Sequence, residues 1–262
     1  MMRSLDIGAT GMLAQQLHVD VISQNIANMT TTGFKRQRPE FKDLIYQNII
    51  RPGTTSSDAG TTVPSGLQLG LGVRAAGVYR IHEQGTLRVT ENPLDLALNG
   101  DGFFQIELPS GETAYSRDGI FQVNQNGEIV NGQGYRLLPG FVVPQDAVDI
   151  SINTEGQVFA KISGQVAEQN LGQIQVANFI NPAGLETIGD NLMLETEASG
   201  NAVVGNPNTE NFATIRQGIL ENSNVNVVEE ITSLITAQRA YEMNSQVIST
   251  SDDMLATITQ LR

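Results

Sequence analysis

The chain has 262 residues, with 15 Lys and Arg against 28 Asp and Glu and a formal net charge of −13. That acidity excludes a general nucleic-acid or anionic-membrane surface, and the lack of cysteine excludes disulfides and thiolate metal sites. Only 16% of residues are charged, against ~25% in typical soluble domains, so Asn, Gln, Ser and Thr carry the polarity, in a surface that packs on copies of itself at low desolvation cost.

The first twenty residues, MMRSLDIGATGMLAQQLHVD, contain no apolar run of the signal-peptide kind. No stretch approaches the ~20 apolar residues of a membrane span, so membrane insertion is not expected. A helix is predicted here instead. Leu5, Met12, Val19 and Ile26 recur every seven residues, and Leu13, Leu17, Val21 and Ile22 widen the stripe. Ser4 or Asp6 caps its start, although Gly8 and Gly11 weaken the first turns. Thr30, Thr31, Thr32 and Gly33 end it, as β-branched residues followed by a glycine able to take positive φ.

Residues 46–70 are rich in Pro, Gly, Ser and Thr and read as an extended, irregular arm or linker, including Tyr46, Arg51, Pro52, Gly53, Pro64 and Gly66. The hydrophobic period then changes from helical to two. FFQIEL, IFQVNQ, DISIN, QVFAKI and GQIQVANF are short strand candidates, separated by Asn-Gly, Asp-Gly and Ser-Gly turn signals. An all-β domain is predicted over roughly 71–211, with a loose return over 212–225.

From Asn222 to Arg262 there is no Gly or Pro. Val227, Leu234, Tyr241, Ile248 and Leu255 repeat every seven residues, beside a second row of Ala240, Val247, Met254 and Leu261, with Ile231, Ile235 and Ile258 filling in. A helix is predicted from residue 226 to the end. The fold class is therefore a mainly β central domain flanked by N- and C-terminal α-helices (1–34 and 226–262) that pair in a coiled-coil-like manner, with an extended arm over 35–70.

Neither terminal helix can bury its own stripe, and each large aliphatic side chain left exposed forfeits about 1.5–3 kcal/mol. They pack on each other as an antiparallel hairpin, on the β domain, or on other molecules. The seven-residue repeats, and two adjacent apolar rows on the C-terminal helix, point toward several neighbours. Stripes without a partner are expected to be disordered until docking.

Catalytic signals are weak, and no enzyme activity is expected. His18 and His82 are isolated, with no metal-ligand spacing. Gly70-Leu71-Gly72 and Gly100-Asp101-Gly102 lack the following helix that a phosphate loop needs, and no G-x-S-x-G elbow is present. Asp118 and Glu128 read as turn and solvent-face residues. No cofactor or metal is called for.

Asn25, Ala27, Asn28, Thr31, Gly33, Phe34 and Lys35 resemble the N-A-N-x-x-T-x-G-F-K signature of the flagellar axial proteins, the rod and hook family. The run 223–255 resembles that family's C-terminal signature, while GDGFFQI (100–106) and 115–138 look like its β-domain motifs. Within the family, 51–74 resembles the arm of distal rod members, with proximal rod and hook members as the alternatives. The resemblance implies a structural subunit, exported by the flagellar type III apparatus without a cleaved signal peptide. It would polymerise with itself into the hollow distal rod, joined to the proximal rod protein FlgF below and the hook protein above, and turn inside the P-ring and L-ring proteins. In that setting the terminal helices form the inner tube, and the arm packs between subunits and stiffens the rod. Phe34 would anchor a chain reversal permitted by Asn28 and Gly33, and Lys35 would approach acidic or carbonyl groups on a neighbour. Gly33→Val is then expected to impair assembly while leaving the β domain folded, and a core of about 36–226 is expected to stay folded alone. The alternative of another class is a secreted, monomeric, glycan-binding β module with an intramolecular helical hairpin.

Overall fold

The computed structural model describes residues 2–53, 65–163 and 167–260. Helix α1 spans Met2–Ala27 and helix α2 spans Val227–Gln260, and the chain between them is mainly β. Two helices thus flank a β region. The chain divides into two compact units: Met1–Ile26, Gln37–Tyr79 and Asn226–Arg262 form the first, and Ala27–Arg36 with Arg80–Val225 the second.

The first unit contains the helices and a set of strands where the sequence predicts an irregular arm. Strands β1 (Gln37–Asp43), β2 (Tyr46–Ile50), β3 (Leu67–Gly70) and β4 (Val73–Arg80) account for most of the described arm and the residues after it. β1 pairs with β4, and β2 with β3, the latter in antiparallel register with Tyr46 opposite Gly70 and Asn48 opposite Gln68. The Pro, Gly, Ser and Thr richness of 46–70 hides the strand character of Tyr46, Ile49 and Ile50 in β2 and of Leu67 and Leu69 in β3. Pro64 lies outside the described residues.

The second unit is built on a nine-stranded sheet. The unit opens with β5 (Leu87–Val89) and β6 (Leu96–Asn99), which lie outside that sheet, followed by β7 (Phe103–Glu107) and β8 (Thr113–Ser116) within it. β7 is the hub of the sheet. It pairs with β8 along its length, with Val176–Asn178 at its start and with Arg136–Leu137 at its end. Because successive side chains of a strand point to opposite faces, β7 feeds two cores. Phe104 joins Leu96, Leu98, Phe121, Ile129, Leu137, Val158, Ile174 and Ile215, while Phe103 packs with Tyr115, Phe179 and Met193 on the other side.

Three segments fall differently from the sequence reading. The second unit starts at Arg80 rather than 71 because β4 is bound to β1. The return segment is sheet rather than linker: Thr214–Gln217 pairs with β6 and Ile219–Glu221 with β5. The segment Ala27–Arg36, predicted to belong with the helix and arm, is part of the β unit.

Candidate functional site

The helices of the first unit form an antiparallel hairpin. A Cβ at Gly8 would lie 2.9 Å from Ile248 Cγ1, one at Gly11 would lie 2.8 Å from Asn244 Nδ2, and Asn25 Nδ2 is 3.2 Å from Glu230 Oε2. These pairs set the register. On α2 the seam runs through Val227, Glu230, Leu234, Ala237, Asn244, Ile248, Ser251 and Leu255, in steps of three and four residues except between Ala237 and Asn244. Of the predicted rows, that of Val227, Leu234, Ile248 and Leu255 is half-buried in this seam, with Tyr241 at its exposed edge. The complementary buried row is not Ala240, Val247, Met254 but the small and polar set Glu230, Ala237 and Ser251, with the half-buried Asn244. On α1, Ile22 and Asn25 are buried, and Leu5, Met12, Leu17, Val19 and Ile26 are half-buried. Leu13 remains 66% exposed.

Of the predicted second row, Val247 and Met254 are exposed, Ala240 is half-buried and Leu261 lies outside the described residues. Val247, Met254 and Met243 are exposed on α2, about a quarter-turn from the seam, and Ile258 is exposed at the C-terminal end of the seam row, seven residues after Ser251. Ile231 and Ile235 are exposed on a further face. A cleft of about 490 Å³ lies beside the same stripe, lined by His18, Glu229, Thr232, Ser233 and Thr236. The β2–β3 ribbon adds Ile45, Tyr46, Ile49, Ile50, Leu67 and Leu69, all exposed, with Ile45 at 78%. An isolated two-stranded ribbon is marginal in water, and this one carries its apolar side chains uncovered. Arg51, Pro52 and Gly53 are exposed at its turn, where a Cβ at Gly66 would meet Ile50 O at 2.4 Å.

The polar members of the hairpin are satisfied. Asn25, buried, donates through Nδ2 to Gln37 O at 2.9 Å and accepts from Gln37 N at 2.8 Å through Oδ1, so it copies a strand partner for β1 while reaching Glu230. His18 packs edge-on against Phe41. Burial lowers its pKa, against the opposing pull of Glu230.

The rest of the motif is in the β unit. Ala27 is exposed, Asn28 and Thr31 are half-buried and bonded to each other at 3.1 Å, and Gly33, Phe34 and Lys35 are buried. Gly33 has φ +69°, and a Cβ there would lie 2.7 Å from the Arg117 carbonyl carbon, so both the turn and the close approach require glycine. Asn28, whose φ is not positive, heads the turn before it, its carbonyl accepting from Thr31 N at 3.2 Å. Lys35 Nζ lies 2.6 Å from Glu221 Oε1 and donates to Glu83 O at 2.7 Å. Arg117 approaches the other Glu221 oxygen at 3.4 Å and donates to Gly100 O at 2.8 Å. Lys35 thus finds its acid and its carbonyl in its own chain, correcting the expectation of a neighbour. Burial lowers the pKa of both cations, partly offset by Glu221. His82, edge-on to Phe103, is held down to about 4 by burial and by the charges of Lys35, Arg117 and Arg80.

Against known proteins the chain matches three family models. They are described as flagella basal body rod protein over residues 5–35, flagellar hook protein FlgE/F/G D1 domain over 97–160, and flagellar basal body rod FlgEFG protein C-terminal over 216–261. It is 57% identical to the flagellar basal-body rod protein FlgG of Caulobacter vibrioides, covering 100% of both chains. The chain belongs to the flagellar basal-body rod protein FlgG family. Family members from Agrobacterium fabrum and Bacillus subtilis are 49% and 38% identical, over 99% and 100% of both chains. The three matched stretches coincide with α1 and the motif, with the centre of the β unit, and with the return strands plus α2.

Glu221, Arg117, Glu230 and Asn244 were not singled out in the sequence. A lone acid or amide among apolar neighbours carries no local mark of its partner, which lies far along the chain in each case. Gly8 and Gly11 were read only as weak helix formers. Their three-residue spacing puts both on one helix face, and that signal was available.

Proposed function

We propose that this structural protein of the basal-body rod polymerises helically into the hollow distal rod, the drive shaft that carries torque from motor to hook. The observation that carries the reading is the second apolar stripe of α2, left open after α1 has taken the first. A contact that joins one face of a subunit to a different face of the next does not close and so builds a filament. The stripe and the uncovered β2–β3 ribbon supply faces of that kind, and the coiled-coil-like packing extends from within one subunit to between subunits. The β2–β3 ribbon packs against neighbouring copies and stiffens the shaft.

On this reading the chain is exported by the flagellar type III apparatus without a cleaved signal, and works between periplasm and outer membrane. It meets the proximal rod protein below, the hook protein above and the P-ring and L-ring proteins around it. No catalytic step is part of the role. Among the described residues no helix is long and apolar enough to cross a membrane.

Sedimentation and electron microscopy across concentration test the reading, with the full chain compared to one bearing Val247→Ser and Met254→Ser on the open stripe. Tubes or fibres from the first, and a folded monomer from the second, are expected. Equal polymerisation of both would remove the stripe from the interface. A full chain that stays monomeric even when seeded with rod fragments would favour a self-contained module. Deleting 46–66 is expected to give curved or flexible polymers, and unchanged straight ones would remove the ribbon's stiffening role.

A further inference from the structure

We propose that Ala27–Arg36 is a releasable strap, latched onto the β unit by the single carboxylate of Glu221, and able to undock while the strands beneath it stay folded. The segment enters this unit alone, because Gln37–Tyr79, which follows it, belongs to the other. It forms no strand. Its main-chain hold includes Gly33 N to Glu221 O at 2.8 Å, Ile81 N to Arg36 O at 3.0 Å and Asn224 N to Phe34 O at 3.4 Å. Side chains add Arg36 N to Asn224 Oδ1 at 2.7 Å and Asn191 Nδ2 to Thr32 O at 3.1 Å. Phe34 is its one buried large apolar side chain.

The decisive group is Lys35. With the strap docked, two buried cations share one buried carboxylate, and Arg117 Nε has no partner. Asp101 adds only a more distant attraction, and Arg80 a further positive charge near His82. When Lys35 leaves, Glu221 keeps Arg117 and the Gly85 N–H at 2.8 Å, so acid and base balance one to one. When Glu221 is lost instead, Lys35 and Arg117 face each other in a dry interior, and only Lys35, on a segment without strand bonds, is free to move to water. The docked state therefore depends on Glu221 far more than the sheet depends on the strap, and local opening of this segment is the low-energy response.

Hydrogen exchange of the full-length chain at neutral pH decides it, comparing the parent with Glu221→Gln and with Lys35→Met. Both substitutions are expected to speed exchange at least tenfold for peptides within 27–36 and for the amides of Ile81 and Asn224. β7 and Gln157–Ile162 should keep parental protection. Strap protection equal to the parent's in both variants would overturn the proposal. So would an equal loss of protection across the whole unit, or failure of both variants to fold, since either makes the strap an inseparable part of the core. If only Glu221→Gln fails to fold, the tenfold criterion applies to Lys35→Met, which keeps the Arg117–Glu221 pair.

Discussion

At the scale of single residues, Gly33 shows how a motif's role depends on where the chain takes it. Its left-handed backbone and its approach to Arg117 put it inside the β unit, so Gly33→Val strains that unit directly instead of sparing it. Undocking of the strap is expected, driven by about 1–3 kcal/mol of backbone strain and measured as faster hydrogen exchange within 27–36 while β7 keeps its protection. His82 offers a second test. Its folded pKa of about 4 lies below its ordinary value of 6.5, so the unfolded chain takes up a proton first as pH falls. Its contribution is therefore fully present above pH 6.5 and is lost between 6.5 and about 4, an effect of order 3 kcal/mol. Unfolding curves at several pH values should be flatter over that window in His82→Gln than in the parent. An unchanged slope would assign the acid sensitivity to other groups.

At the scale of elements, the α1–α2 seam is close because it is made of small and polar residues, Gly8 and Gly11 against Ile248 and Asn244. Gly8→Leu or Gly11→Leu is expected to force the helices apart near the chain ends and lower helical circular dichroism, even though leucine has about 1 kcal/mol better intrinsic helix propensity than glycine. A rise in helicity would mean that propensity outweighs packing there. The strap sets the boundary of any truncated core. A chain beginning at residue 36 loses Phe34 and Lys35, which are buried in the β unit. A chain of 27–226 is therefore expected to unfold at higher denaturant than one of 36–226, the reverse of what a boundary drawn at the end of the motif would suggest.

At the scale of the molecule, charge is divided unevenly between the two units. The β unit holds 18 of the 28 acidic and 8 of the 15 basic residues, so a net charge of −10 of the total −13 resides there. The helical unit carries the exposed isoleucines, methionines and valines of the open stripe and ribbon. Subunits brought together repel through the first and attract through the second. Screening weakens repulsion between exposed charges and leaves apolar burial intact, so self-association followed by sedimentation is expected to strengthen from about 0.05 M to about 0.5 M salt. Weakening instead would mean that ion pairs hold the polymer.

Much of this was open to reading along the chain. Both helices, the change of period to two and the turn signals follow from local composition and spacing. So does the family, since its motifs are continuous runs such as Asn25–Lys35 and 223–255. What lay outside the sequence is what depends on partners distant in the chain. The polar row of the seam is not visible in the sequence because Glu230, Asn244 and Ser251 do not look like core until Asn25 and the glycines of α1 face them. The ribbon was missed because pairing across a long, turn-rich insertion leaves no local period. Lys35 was given to a neighbour because nothing near it in sequence announces Glu221, 186 positions away. Periodicity determines which surfaces are apolar. Only the tertiary structure decides which of them a single subunit covers, because that depends on which distant segments come close enough to exclude water.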